Sequence, residues 1–169
     1  MKRILPFALL LCAVAATVSA AEPSNEITAA NVLRLMNDYR ATEGLPPLQD
    51  NALLDLAAGD RMHHMEEESF WAHESPDGQS PFQWLDRRAY NYRAAGENLA
   101  YGFETARLLV QSWMESRGHR ANIMSPDYED CGIAIIDGST LGPATGKSIV
   151  VMFGKQHAVM TPQIARSKQ

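Results

Sequence analysis

Three short segments of the sequence put a histidine or a glutamate beside a turn-forming glycine. They are residues 73–78, which read HESPDG, residues 96–100, which read GENLA, and residues 118–123, which read GHRANI. Glycine lets a loop turn tightly and leaves the neighbouring side chain free for chemistry. If the three segments converge, His73, Glu97 and His119 share one site, and this set of side chains suits metal binding or acid–base chemistry.

The residue types favour a metal ion over a nucleophile at this site. Two neutral imidazoles, one carboxylate and a water make a zinc ligand set, although harder divalent ions could also occupy it. A catalytic triad would need a nearby serine or cysteine nucleophile, and the nearby Ser75 and Ser116 both lie outside a Gly-x-Ser-x-Gly turn. We therefore predict a divalent metal, with zinc as the first candidate, bound by His73, His119 and Glu97.

Other conspicuous side chains are interpreted as structural. Residues 63–68, which read HHMEEE, have no two histidines one helical turn apart and indicate a solvated helix end. His157 has no partner nearby in sequence. Trp71, Trp84 and Trp113 are interleaved with apolar residues, which is typical of core positions.

The elements that must position the three segments follow from periodicity and capping residues. Helices are predicted where apolar residues recur at helical spacing behind a capping Ser24, Asp50 or Thr105. Two apolar runs joined by the turn-rich residues 137–147 predict a β-hairpin. Helices early and strands late indicate an α+β domain. The predicted helices cover 24–43, 50–67, 81–89 and 105–116, and the strands cover 131–136 and 148–153, with weaker candidates at 70–73 and 99–102.

The order and wording of the three segments resemble the CAP superfamily, named for cysteine-rich secretory proteins, antigen five and the plant pathogenesis-related proteins. The resemblance is to its compact bacterial members. It runs over residues 32–154 and includes the Trp-Met pair at 113–114, just before the third segment. It implies a three-layer α-β-α sandwich with a small antiparallel sheet between helical layers.

In the CAP superfamily the residues that match His73, Glu97 and His119 line one central cleft. Many members add a second glutamate after the tryptophan of the preceding helix. Here Glu115 stands two residues after Trp113 instead of three, which turns it by about 100° on a helix, so its place in the set stays open.

The resemblance also implies a class of function. CAP proteins are mostly secreted, and members are associated with divalent metals, with lipids or other small ligands, and with partner proteins, without an agreed reaction. Our leading hypothesis is a non-enzymatic binding domain whose cleft takes a divalent metal and a small ligand, which could be a lipid. The alternative is a metal-assisted hydrolase of peptide or cell-wall material with Glu97 as the base. Pure scaffolding is a third possibility.

The ends of the chain predict export. Residues 1–20 combine two basic residues, an apolar stretch and a small-residue cleavage site, as in a signal peptide. The apolar stretch is too short for a stable membrane span, and Cys12 follows a leucine, so no lipid anchor is expected. We predict one CAP-type domain over 24–160, a polar tail over 161–169, and a periplasmic or extracellular location.

Charge and cysteine content exclude several classes of partner and bond. The net charge is −5 for the whole chain and −7 without residues 1–20. An acidic chain with no basic run is a poor candidate for nucleic acid, and it lacks the basic amphipathic helix of an anionic-membrane binder. Cys131 is the one cysteine after residue 20, and its apolar surroundings in sequence indicate a buried structural thiol. The oligomeric state is left open.

Overall fold

Helices and strands are mixed along the part of the chain that the structure describes. The computed structural model describes residues 25–138 and 146–158, so the predicted signal peptide and polar tail lie outside it. Within these ranges, no helix is long and apolar enough to cross a membrane. The elements in chain order are α1 (Ala29–Thr42), β1 (Gln49–Asp50), α2 (Ala52–Glu67), α3 (Gln83–Arg87), β2 (Tyr92–Phe103), α4 (Ala106–Glu115), α5 (Arg117–Ile123), β3 (Asp130–Ile136) and β4 (Lys147–Gln156).

The strands form one sheet in the order β1-β3-β4-β2. β4 runs antiparallel to both of its neighbours, and Phe153 pairs with Gly96 on β2 and with Cys131 on β3. The predicted hairpin of β3 and β4 is therefore confirmed, although residues 139–145 of its loop lie outside the described ranges. β1 adds a two-residue parallel pair to β3. This order leaves β2 as an edge strand.

Alternation along β4 divides the core into two apolar clusters, one on each face of the sheet. Ile149, Val151 and Phe153 pack with residues of α1 and α4, whereas Val150 and Met152 pack with residues of α2 and α3. Helices therefore cover both faces of the sheet. The predicted α+β class and the three-layer α-β-α sandwich are confirmed.

Capping side chains fix where the helices begin. The hydroxyl groups of Thr28 and Thr105 accept hydrogen bonds from free N–H groups at the starts of α1 and α4. Asp50, the predicted cap of α2, is the wrong residue. Asp50 is still extended and pairs with Cys131 across β1 and β3, so the capping position moves to Asn51.

The sequence prediction was least accurate around the candidate site. Residues 70–73 form an irregular segment that bends at residues 72–73 rather than a strand, and the helix predicted over 81–89 is limited to α3. Residues 117–123 form α5, which was not predicted because Gly118 lowers helix propensity. The strand candidate at 99–102 belongs to the much longer β2, which also contains residues 96–98.

Gly96 therefore lies in a strand and not in a loop. A Cβ atom at this position would lie 2.6 Å from the Tyr128 hydroxyl oxygen and 3.0 Å from Asn122 Oδ1. Glycine is required here because two side chains approach the backbone closely, and not because the chain turns.

Candidate functional site

The candidate site lies at the edge of the sheet that β2 forms. Glu97 is on β2, His73 lies between α2 and α3, and His119 lies in the first turn of α5. His73 Nδ1 is 2.8 Å from Glu97 Oε1, and the ring centroids of His73 and His119 are 6.5 Å apart. The fold thus brings the three residues together around one strand.

The carboxylate of Glu97 is buried and engaged through both oxygens. Its side chain is 2 % exposed, and Oε2 accepts a hydrogen bond from Arg61 Nε at 3.0 Å, while Oε1 contacts His73. Arg61 is itself fully buried. A charge is stable in a protein interior only when it is paired and hydrogen bonded, so Arg61 and Glu97 each keep the other in the core.

Arg61 also fixes the segment that carries His73. Its Nη1 donates to Ser75 Oγ at 3.2 Å, and its Nη2 donates to the carbonyl oxygens of Ala72 and His73. The Ser75 hydroxyl is buried in this contact, which does not favour a nucleophile role. Arg61 therefore holds both the backbone of residues 72–73 and the carboxylate that the His73 ring contacts.

Sequence reasoning missed the role of Arg61. The available signal was its position on the buried side of α2, in line with Leu54, Ala58 and Met65. An arginine among apolar side chains at helical spacing needs a buried partner, because the charge cannot reach water.

The hydrogen bond to Glu97 determines the chemistry of His73. It raises the pKa of the imidazole above its ordinary value, while burial and the charge of Arg61 act in the opposite direction. The side chain is 59 % exposed. Because Nδ1 faces the carboxylate, Nε2 is the ring nitrogen left for a metal, a proton or a ligand.

His119 is shifted in the opposite direction. Burial lowers its pKa, and repulsion from His73 lowers it further. Its ring packs near the indole of Trp113, with centroids 6.3 Å apart. The site therefore pairs one imidazole that is stabilised in its charged form with one that is stabilised in its neutral form.

Two asparagines tie α5 to β2 beside the histidine. Asn98 Nδ2 donates to the carbonyl oxygen of His119 at 3.2 Å, and Asn122 Nδ2 donates to Asn98 Oδ1 and to the carbonyl oxygen of Glu97, both at 2.9 Å. Asn98 is fully buried. This network fixes the backbone of His119 relative to Glu97.

A cleft of about 520 Å³ opens next to Glu97. One wall comes from the segment between α2 and α3, including His73, Glu74 and Phe82, and the other includes Gly96 and Asn122. The volume falls in the range of small-molecule sites, and the lining mixes apolar, amide, carboxylate and imidazole groups.

Glu115 lies apart from this cleft. It is exposed at the end of α4, where its carboxylate accepts a hydrogen bond from Gln111 Nε2 at 3.1 Å. Among the described residues that line the cleft, Glu115 is absent. Its doubtful place as a fourth site residue gains no support from this position.

The side chains that were interpreted as structural behave accordingly, with the exception of Trp71, which is not a core residue. His63 is exposed and contacts Glu67 at 3.1 Å within α2. Trp84 and Trp113 are buried, and Trp71 is half-buried. Cys131 is a buried free thiol, and burial, followed by the nearby acids, raises its pKa to about 12, so it stays protonated.

The contacts of Glu97 do not favour the predicted three-residue metal set. Within residues 25–138 and 146–158, no group of three or more His, Cys, Asp or Glu side chains is assembled to hold a metal ion. Both oxygens of Glu97 are engaged, and a guanidinium lies against one of them. The side chains here that could hold a divalent ion are the imidazoles of His73 and His119.

Comparison with known proteins identifies the family. The profile of the cysteine-rich secretory protein family, CAP, matches residues 33–151. The chain belongs to the CAP family. This match lies inside the predicted domain range of 24–160.

Two relatives of this CAP chain come from Bacillus subtilis (strain 168). It is 32 % identical over 125 residues to the uncharacterized protein YkwD, covering 74 % of this chain and 49 % of YkwD. It is 30 % identical over 105 residues to the uncharacterized membrane protein YlbC, covering 62 % of this chain and 30 % of YlbC. The CAP chain therefore spans half or less of the length of these relatives.

Solved structures share the CAP fold at low identity. An outer surface protein from Borrelia burgdorferi matches with a TM-score of 0.67 and 20 % identity, over 79 % of this chain and 98 % of that one. An extracellular protein containing an SCP domain from Bacillus anthracis matches with a TM-score of 0.63 and 22 % identity, over 79 % of this chain and 45 % of that one. At this identity the likeness shows the fold.

Proposed function

We propose that this CAP domain is an exported binding domain that takes a divalent metal ion at the His73–His119 pair and a small ligand in the adjoining cleft. The observation that carries the proposal is the contact between His73 Nδ1 and the buried carboxylate of Glu97. Metal-binding histidines commonly donate their second ring N–H to a carboxylate, which fixes the tautomer and the ring orientation. Glu97 has this outer role, and the imidazoles are the ligands.

The electrostatics of the pair support a metal that competes with a proton. A metal must bind neutral imidazole. The lowered pKa of His119 favours its neutral form, whereas the raised pKa of His73 favours its protonated form, so a metal at His73 competes with a proton. Binding should therefore strengthen as pH rises. Zinc is the first candidate, because imidazole suits it and it tolerates a water or ligand in the remaining positions.

The small-ligand part of the proposal rests on the cleft. Its volume of about 520 Å³ suits a small molecule. A lipid is one of the ligands that should be tested. Nucleic acid is not expected in an acidic chain. An exported protein is supported by the predicted signal peptide and by the descriptions of two structural neighbours as outer surface and extracellular proteins.

The proposal is tested by calorimetric titration of zinc into the mature protein. We expect one zinc per chain in the wild type and loss of binding in the His73→Ala/His119→Ala double variant. A matched control is His63→Ala/His157→Ala, which removes two exposed histidines outside the cleft and should bind zinc normally. Equal zinc binding in all three proteins, or no zinc binding in the wild type, would contradict a metal site at His73 and His119.

A second function, hydrolysis of peptide or cell-wall material, is favoured by the Glu97–His73 pair. An imidazole oriented by a buried carboxylate is a suitable general base for water, with Nε2 accepting the proton. Glu97 then acts by orienting His73, since its own oxygens are engaged. The hydrolase predicts turnover of wall fragments that Glu97→Gln abolishes. Zinc binding without turnover would support the binding function and contradict the hydrolase.

A further inference from the structure

A second cavity lies farther along β2 than the cleft. It has a volume of about 320 Å³, and its lining includes Trp71, Tyr101 and His119. The first cavity borders residues 95–97 of the strand, and the second borders residues 99–101 and 103. At about 3.3 Å per residue, the two cavities together follow roughly 26 Å of β2. His73 lines the first and His119 the second, so the imidazole pair stands between them.

The edge of β2 is closed to an added peptide strand. Alternate carbonyl groups along residues 95–99 accept hydrogen bonds from the side chains of Tyr128, Asn122 and Trp113, at 2.9, 2.9 and 3.1 Å. A peptide that extended the sheet would need these acceptors for its own N–H groups. An elongated ligand must therefore be recognised through side chains instead of through the strand backbone.

The side chains of the second cavity combine aromatic faces with polar groups. Trp71 and Tyr101 meet edge to face with centroids 5.6 Å apart, and both are half-buried. Ser112 and His119 add a hydroxyl and an imidazole to the same cavity. A pyranose ring matches this mixture, because its C–H face can stack on an aromatic ring while its hydroxyl rim forms hydrogen bonds. An acyl chain could pack on the apolar part of the lining, Leu99, Ala100 and Phe103, but it would cover Ser112 and His119 without satisfying their polar groups.

We propose that the two cavities are successive subsites of one groove for a linear β-1,4-linked oligosaccharide, with sugar rings stacking on Trp71 and Tyr101. The extended shape of such a chain suits a groove that follows a strand. The proposal deepens the proposed function, because it uses the same cleft and the same His73–His119 pair, and it adds the ligand class and the second subsite.

The test is to titrate the mature protein with the hexamer of N-acetylglucosamine and with cellohexaose. Binding is monitored through the changes in amide NMR chemical shifts. We expect at least one hexamer to bind and to shift residues of both cavities. Trp71→Ala should weaken binding ~10-fold, in line with the loss of one aromatic stacking contact. Trp71→Phe should restore most of the affinity. Leu108→Ala, which removes an exposed apolar side chain on α4 outside both cavities, should change nothing.

Zinc titration of the same variants separates the two proposals. Trp71→Ala with normal zinc binding and weakened sugar binding supports the groove and also shows that the variant folds. If the wild type binds sugar but no zinc, the result would support the oligosaccharide groove and would overturn the proposed metal site. No shift with either hexamer, equal affinity in the wild type and Trp71→Ala, or shifts confined to one cavity would overturn the groove, as would preferential binding of a peptide or fatty acid there.

Discussion

Arg61 and Glu97, which lie 36 residues apart in sequence, form an ion pair with an Nε–Oε2 distance of 3.0 Å. The two side chains are 0 % and 2 % exposed. The pair links α2 to β2 and leaves the second carboxylate oxygen for His73. The orientation of the candidate ligand His73 therefore depends on a charge pair in the core.

Arg61→Met should destabilise the protein strongly. It leaves the Glu97 carboxylate buried without its cation, a change that typically costs about 3–5 kcal/mol in the free energy of unfolding. Urea denaturation of the wild type and the variant measures the difference. Adding Glu97→Gln to Arg61→Met should recover part of the loss, because the unpaired charge is then removed.

The control for this prediction is Arg34→Met. Arg34 pairs with Asp38 on the surface of α1, where the two side chains are 38 % and 61 % exposed. Exposed pairs of this kind contribute about 0–1 kcal/mol. Similar losses in Arg34→Met and Arg61→Met would show that the buried pair has no special role.

Glu97→Gln should lower the pKa of His73, because the carboxylate that stabilises the imidazolium is replaced by a neutral amide. NMR titration of the ring protons measures this midpoint. Glu74→Gln, the same substitution at the neighbouring exposed residue, should leave it unchanged. An unaltered His73 midpoint in Glu97→Gln would contradict the contact.

The same shifts give a sign to the pH dependence of stability. Since the folded pKa of His73 is raised above 6.5, its contribution is fully present below pH 6.5 and is lost as pH rises through the folded value. His119, with its pKa lowered from 6.5, contributes above pH 6.5 and loses this contribution as pH falls through its folded value. Denaturation of Glu97→Gln across this range should therefore lack the loss on the alkaline side that the wild type shows.

Gly96→Ala should destabilise the protein by about 1–3 kcal/mol, the usual cost of overpacking a filled site. The new methyl group would lie 2.6 Å from the Tyr128 hydroxyl oxygen. Gly59→Ala is the matched control, since Gly59 lies in α2 with nothing within 4 Å of its missing methyl group. That change should stabilise by about 0.5–1 kcal/mol. Equal effects of the two substitutions on the melting temperature would refute the steric explanation.

The sequence predicted the layers of this protein better than the local structure of its site. Apolar periodicity was sufficient for α1, α2 and α4, and the two apolar runs were sufficient for the hairpin of β3 and β4. Gly96 and Gly118 suggested loops, whereas they lie in β2 and α5. Gly96 lies where side chains approach a strand closely, and Gly118 lies in the first turn of a helix. Sequence alone does not distinguish a glycine in either position from one that is needed for a turn.

The motifs were sufficient to select the three residues that the fold brings together, but not to assign a role to each of them. Nothing local in the sequence indicates that Glu97 is buried against Arg61, because that contact joins elements far apart in the chain. The motif treats His73, Glu97 and His119 as equivalent members of a set. The contacts separate them into a buried orienting carboxylate and two imidazoles with opposite pKa shifts.

The central claim, that Glu97 orients His73 so that the two imidazoles bind a metal, is tested most directly by ¹⁵N NMR of the histidine rings with and without zinc. We expect Nδ1 of His73 to stay protonated against Glu97, while zinc shifts Nε2 of His73 and one ring nitrogen of His119. Loss of the Nδ1 proton of His73 on zinc binding, or a zinc response confined to histidines other than His73 and His119, would contradict the claim.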